Sequence, residues 1–252
     1  MQPPTNKPAA SSISSAPPLV GVVVVQRATL ADTRQLAAAD SAAFRDDALG
    51  CAIYGEEAGH TPEQREVERE ERESRYVKLV RDPADVVLKA VMAIDGPGGS
   101  SGGEGGGDGG GEVIIGFAGW EAPASSRDAS AVYARELMLQ ECYRHGPAWR
   151  NEALWDRWGL VEEEFEGLLA GRAGDMWHLT TFGILPEYRG RGIGRQLLEA
   201  GLAITDERRE DVYLEATPAA KGFYERGGFQ VVGEAEVMEG YAITLMLRKA
   251  QR

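Results

Sequence analysis

The 252-residue chain is poor in cysteine, in positive charge and in long apolar runs. Its two cysteines, Cys51 and Cys142, stand far apart with no CxxC pair. That spacing argues against a disulfide framework and a cysteine-based zinc site, and fits a reducing compartment, the cytoplasm. No metal centre is expected. Lys and Arg number 27 against 40 Asp and Glu, a net charge of −13. A field of that sign argues against general binding to the phosphates of nucleic acid and suits a cationic partner or substrate. The longest apolar run, Leu19 to Val25, is far too short to span a bilayer and follows a polar start, so neither a membrane span nor a secretory signal is expected.

What is present is a chain 43% hydrophobic, with a mean hydropathy of −0.31, long enough to bury a sizeable core. Residues 1–18 hold five prolines and a serine-rich run, and read as a disordered tail. Residues 96–111 are mostly glycine and lie between two β-rich runs, so they read as a flexible hairpin loop inside one domain, 19–250.

Valine-rich Leu19–Gln26 reads as a strand. A helix follows over Thr29–Phe44, with Thr29 as N-cap. A second helix is announced by Thr61, Pro62 and Gln64 as cap, first-turn proline and capping-box acceptor. The charge run along its body, with Glu68/Arg72 and Glu71/Arg75 at i,i+4, reads as a solvated face. Strands are expected at Val86–Ile94 and Val113–Trp120. A helical insertion is expected over 121–175, where Leu154, Trp158, Val161, Phe165 and Leu168 draw one apolar stripe. Then come strand Met176–Leu185, helix Gly192–Arg209, strand Val212–Ala216, a short helix at Ala219–Arg226, and strands Phe229–Val237 and Tyr241–Leu247. The fold class is mixed α+β.

Chemistry concentrates in one stretch, Ile184-Leu-Pro-Glu-Tyr-Arg-Gly-Arg-Gly-Ile-Gly-Arg195, where a strand turns through Gly190, Gly192 and Gly194 into a helix. Glycines let backbone N–H groups approach an anion, and the helix start adds partial positive charge. Arg189, Arg191 and Arg195 add full charges, so the turn suits a pyrophosphate. No Lys-Ser or Lys-Thr follows for a P-loop, and a dinucleotide fingerprint fails because its third glycine would fall at Arg195.

Arg189-x-x-Gly192-x-Gly194 resembles the signature of the GNAT superfamily of acetyl-CoA-dependent N-acetyltransferases. Leu214-Glu-Ala-Thr-Pro218 with Gly222-Phe-Tyr-Glu-Arg-Gly-Gly-Phe229 is similar to that family's second hallmark, and the two cover roughly 176–237. The resemblance implies a mostly antiparallel sheet of about seven strands, splayed around the co-substrate acetyl-CoA and flanked by helices. It implies contacts to coenzyme A from Phe182, Gly183, Ile184, Leu185, Arg189, Gly190, Arg191, Gly192, Ile193, Gly194, Arg195 and Tyr224, and from Thr217, where many relatives carry Asn. Amides near Ile184 and Leu185 would polarise the thioester carbonyl and stabilise a tetrahedral oxyanion. Tyr224 is the candidate general acid for the departing thiolate.

Six residues before Ile184, at a position where the histone-acetylating branch carries a glutamate, stands His178, the candidate base. Strand parity puts His178, Thr180, Phe182 and Ile184 on one face, and Asp175 and Glu215 are weaker base candidates. His60 and His145 read as surface or loop residues. Trp149, Trp155 and Trp158 with Glu162–Glu164 read as a helical cap, the alternative being an aromatic, acidic pocket for a cationic amine. The expected acceptor is a small cationic amine or a protein amine, with no nucleic acid and no membrane partner. The rival reading is a non-catalytic acyl-CoA-binding module of the same fold.

Overall fold

The computed structural model describes residues 21–55, 60–94, 111–127, 147 and 149–251. The expected tail at 1–18, the glycine stretch up to 110, and 128–146 of the insertion, with Cys142 and His145, lie outside the described residues.

The order of elements is β1 (Val23–Arg27), α1 (Thr33–Phe44), α2 (Ala48–Tyr54), α3 (Pro62–Arg81), β2 (Val86–Ile94), β3 (Gly111–Glu121), α4 (Glu152–Leu168), β4 (Trp177–Ile184), α5 (Ile193–Arg208), β5 (Val212–Ala216), α6 (Lys221–Arg226), β6 (Gln230–Met238) and β7 (Tyr241–Arg248). One sheet holds all seven strands in the order β1-β2-β3-β4-β5-β7-β6. Every neighbouring pair is antiparallel except β4–β5, which is parallel.

Local chemistry explains most boundaries. Thr61 and Gln64 close the capping box of α3, as their spacing predicts. Thr29 and Asp32 bond to one another (2.7 and 2.9 Å) but start a 3-10 turn at Leu30, and α1 follows from Thr33. The short α2 went unforeseen in the sequence; its signal is Asp47, whose carboxylate accepts from the Gly50 amide at 2.9 Å.

Two helical layers clamp the sheet. On one face α5 buries Ile193, Leu197, Leu198 and Leu202 against Val86, Ala118, Trp120, Trp177, Val212 and Leu214. On the other face α1 and α3 cover Val87, Val91 and Phe117, while α2 and α4 cover Ala235, Ile243 and Leu245. The α4 stripe is shifted from expectation: Val161 and Phe165 are buried, but Leu168 is 52% exposed and Leu169 takes its place inside. A one-residue offset in a 3.6-residue period carries a side chain round the helix.

The α3 charge run is not wholly a solvated face. Arg72 pairs with Asp40 of α1 rather than with Glu68. Glu68 lies 3.0 Å from His60, and His60, expected at the surface, is buried with Nε2 2.7 Å from the Tyr54 carbonyl. Asp40 is 3% exposed and also accepts the Tyr76 hydroxyl at 2.8 Å. A buried carboxylate needs such partners.

Close approach of α5 to β3 rests on Gly201, where an added Cβ would land on the Trp120 indole. Gly201→Ala is therefore expected to lower unfolding stability by about 1–3 kcal/mol through overpacking. Urea denaturation of the variant beside the parent chain checks this.

Candidate functional site

The parallel pair β4–β5 holds together over two rungs only, Trp177↔Val212 and His178↔Tyr213. Beyond His178 the strands part, and β5 continues its pairing with β7 instead. The edge of β4 from Leu179 to Ile184 thus faces a gap with no ladder partner among the described residues. Unpaired strand groups are a template for an extended ligand.

At the far end of that edge, Gly190 (φ +73°) and Gly192 (φ +79°) adopt left-handed conformations, and Gly192 is the N-cap of α5. A Cβ on either would meet nothing within 4 Å, so backbone conformation rather than space demands glycine there. Among the described residues the amides of Gly190 to Arg195 have no hydrogen-bond partner; the first taken amide is Gln196, on the Gly192 carbonyl at 3.1 Å. A run of free amides at a helix start can cradle an anion.

The three arginines differ in what they do. Arg189 spends its donors on main-chain carbonyls, of Ile184 (3.1 Å) and Ala43 (2.6 Å). Arg191 donates to the Glu187 carbonyl at 3.1 Å and lies over the Tyr188 ring. Arg195 is exposed and pairs with Glu199. The Leu185 amide, expected as an oxyanion donor, donates to the Ile115 carbonyl at 3.0 Å, so such a donor has to come from further back along β4. Gly183 is fixed by packing, since a Cβ there would strike the Phe117 ring. The Thr217 carbonyl accepts from the amides of Ala220 and Lys221, which starts α6.

Tyr224 of α6 is buried among Phe182, Phe223 and Phe229, with ring centroids 6.0, 5.2 and 5.8 Å away. Burial pushes its phenol well above the ordinary range, so it holds its proton at neutral pH. Phe182 of β4 touches both Phe223 and Tyr224.

His178 faces elsewhere, and the expected parity fails. Thr181 pairs with Gly119 and Leu179 with Trp120, which leaves Thr180 as a bulge. One extra residue inverts the facing of all that precedes it. His178 therefore lies on the face of Tyr213, on which it stacks at 4.3 Å and 9°, whereas Phe182 lies on the face of Tyr224. Its Nε2 is 2.7 Å from Glu215 Oε2, so the structure joins two residues weighed separately in the sequence. Burial alone would pull the imidazole down. The Glu215 charge and hydrogen bond, with Glu121 and Glu162 behind, outweigh it and hold His178 above its ordinary value. Beside it opens a cleft of about 160 Å³, walled in part by Glu121, Arg127, Met176 and Tyr213.

The three tryptophans do not share a pocket. Trp158 donates to Glu162 (2.8 Å), Trp155 stands edge-on to Tyr54 under the Arg150 guanidinium, and Trp149 packs on His60. They seat α4 against α2 and the start of α3. Among the described residues no group of three or more His, Cys, Asp or Glu is placed to hold a metal, and no helix is long and apolar enough to cross a membrane.

Residues 159–249 match the family model described as the acetyltransferase (GNAT) domain. The chain is 40% identical over 60 residues to the peptidyl-lysine N-acetyltransferase YjaB of Escherichia coli (strain K12), which is 24% of this chain and 40% of that protein. The match thus spans well under half of the curated relative. The fold is similar to that of the Drosophila melanogaster polyamine N-acetyltransferase that forms N-acetylagmatine (TM-score 0.56, 16% identity, 90% of this chain and 100% of that one). It is also similar to a structure described as histone acetyltransferase HPA2 and related acetyltransferase from Corynebacterium glutamicum (TM-score 0.50, 20% identity, 91% and 97% covered).

The His178–Glu215 pair has a pH signature. His178 has a raised folded-state value, so its contribution to stability is complete below the unfolded value of about 6.5 and disappears as pH rises through the folded one. The stability gap between the parent chain and Glu215→Gln is expected to be widest between about pH 5 and 6.5 and to narrow above. Urea midpoints across that range, with the His178 ring titrated by NMR, check it.

Proposed function

We infer that this chain, whose residues 159–249 match the acetyltransferase (GNAT) domain, is a GNAT-type acetyl-CoA-dependent N-acetyltransferase acting on a primary amine. The observation that carries the reading is the parted β4–β5 pair, with the free amides of Gly190–Arg195 at one end of its open edge and Tyr224 buried beside it. Acetyl-CoA supplies the acetyl group as a thioester. The cradle residues Gly190 to Arg195 would hold its diphosphate, and the open edge of β4 would take the pantetheine arm.

In the transfer, the amine nitrogen bonds to the acetyl carbon and the carbon–sulfur bond breaks, so one proton must leave nitrogen and one must reach sulfur. Tyr224 is the donor to sulfur, and the desolvation that raises its phenol keeps the proton available at neutral pH. His178 is the acceptor, directly or through water, and with Nε2 committed to Glu215 its Nδ1 is the nitrogen free to take a proton. Because of the Thr180 bulge the two groups approach the gap from opposite faces of the sheet. Acid and base therefore need not compete for one side of the reacting carbon.

The amine enters best from the His178 face, where Glu215 bonds to the imidazole and the charges of Glu121 and Glu162 also act on it. Three carboxylates near a short cleft favour a small cationic amine, and a protein lysine, the acceptor named for the curated relative, is the second reading.

Two measurements test this. Thiol release from acetyl-CoA is expected with at least one amine of a panel spanning diamines, arylalkylamines and a lysine peptide; coenzyme A binding with no release on any amine would favour a non-catalytic acyl-CoA-binding module. Tyr224→Phe is expected to lower kcat roughly a hundredfold or more while calorimetric affinity for coenzyme A stays the same. Unchanged turnover would remove Tyr224 as the acid.

A further inference from the structure

The first arginine of the glycine turn is tied to a helix distant in sequence. Arg189 Nη2 donates to the Ala43 carbonyl at 2.6 Å and Nε to the Ile184 carbonyl at 3.1 Å. Ala43 lies in the last turn of α1, where the final carbonyls have no donor within the helix and the helix dipole favours a cation. One rigid guanidinium thus joins the end of β4, the end of α1 and the residue that precedes the anion cradle.

The far side of that tie is also anchored. One turn back in α1, Asp40 is buried, pairs with Arg72 and accepts the Tyr76 hydroxyl at 2.8 Å. Just beyond α1, Asp47 caps α2 and accepts the Tyr241 hydroxyl of β7 at 2.8 Å. α1 packs on β3 and β4, while α2 packs with α4, β6 and β7. The α1–α2 segment therefore crosses the β4–β5 gap on the His178 face, with one end held by Arg189 and the other by Tyr241.

We propose that Arg189 is a positioning residue rather than a phosphate ligand: it carries the ordering of the glycine turn across to the end of α1 and the α1–α2 segment that roofs the gap. An anion gripped by the Gly190–Arg195 amides fixes the backbone immediately after Arg189. A fixed backbone holds the guanidinium fork on its two carbonyls, and α1 can then fray less at Ala43. The inference rests on the reading of the turn as a coenzyme A cradle, and it makes the first arginine of the signature a strut between the two sides of the site.

Hydrogen exchange on the full chain, with and without coenzyme A, tests it. In the parent chain coenzyme A is expected to slow exchange in 190–196 and also in 40–54. In Arg189→Met, which keeps length but donates nothing, protection of 190–196 is expected to remain, with affinity for coenzyme A within about threefold, while the added protection of 40–54 is lost. Should that variant fail to fold, Arg189→Lys serves, since one ammonium cannot fork to both carbonyls, and it is expected to reduce protection of 40–54 alone. Exchange in 40–54 indifferent to coenzyme A in the parent chain overturns the proposal. So does a loss of affinity of tenfold or more in either variant, which would make Arg189 a ligand. A parent chain in which coenzyme A protects nothing, and binds nowhere, overturns the cradle reading itself, an outcome separate from the other two.

Discussion

The rest of the site depends on two strands that begin as partners and then separate. Trp177 and Val212, both fully buried, nail the start of β4 to the start of β5, and Trp177 Nε1 is held at 2.6 Å by Glu210. Among the described residues β4 has a neighbour on one side only from Leu179 onward, because β5 runs on with β7. Hydrogen-bonding groups left open in the middle of a sheet are a standing cost unless something extended completes the ladder. Such an edge is a template on which another strand-like chain can complete the ladder. The packing of Phe182, Phe223 and Tyr224 fills the widening gap on the α5 face with rings. The opening is thereby shaped and does not collapse.

A single bulged residue then decides which chemistry faces which way. If β4 kept strict alternation, His178 would share a face with Phe182 and Tyr224, and acid and base would crowd one side. Thr180 breaks the alternation, and His178 instead stacks on Tyr213 and bonds to Glu215 at the last rung before the strands part. The base candidate therefore sits on the best-anchored part of the parallel pair. The acid candidate sits on α6, whose start is organised by the Thr217 carbonyl.

Much of this was legible in the sequence wherever local chemistry rules. Strand Val86–Ile94 and strand Val212–Ala216 fall on the expected bounds. Gly190 and Gly192 take the conformations that only glycine enters readily, and Thr61 caps α3 with Gln64. What escaped was set by tertiary pairing. The bulge at Thr180 depends on the register against β3, which no local pattern encodes. The burial of His60 and the turn of Arg72 toward Asp40 depend on α1 and α2 lying against α3. Arg189, Arg191 and Arg195 look equivalent in sequence and become unlike only when the Ala43 carbonyl arrives from 146 residues away. The brief helix α2 is visible only as Asp47 three residues before Gly50, too weak a signal alone.

On the proposed reading an acidic chain binds an anionic ligand, a physical conflict that a cradle built of backbone resolves. The net charge of −13 raises a repulsive field, but salt screens it over roughly 10 Å, so only groups near the turn count. There Arg189, Arg191 and Arg195 stand against Glu187 and Glu199, and two of the three arginines have donors already committed to main-chain carbonyls. On the proposed reading the hydrogen bonds of Arg189 hold α1, and the contacts to a diphosphate fall to amides that no side-chain rotation can withdraw. That reading makes the site depend on glycine at 190 and 192, where the left-handed turn has to be held.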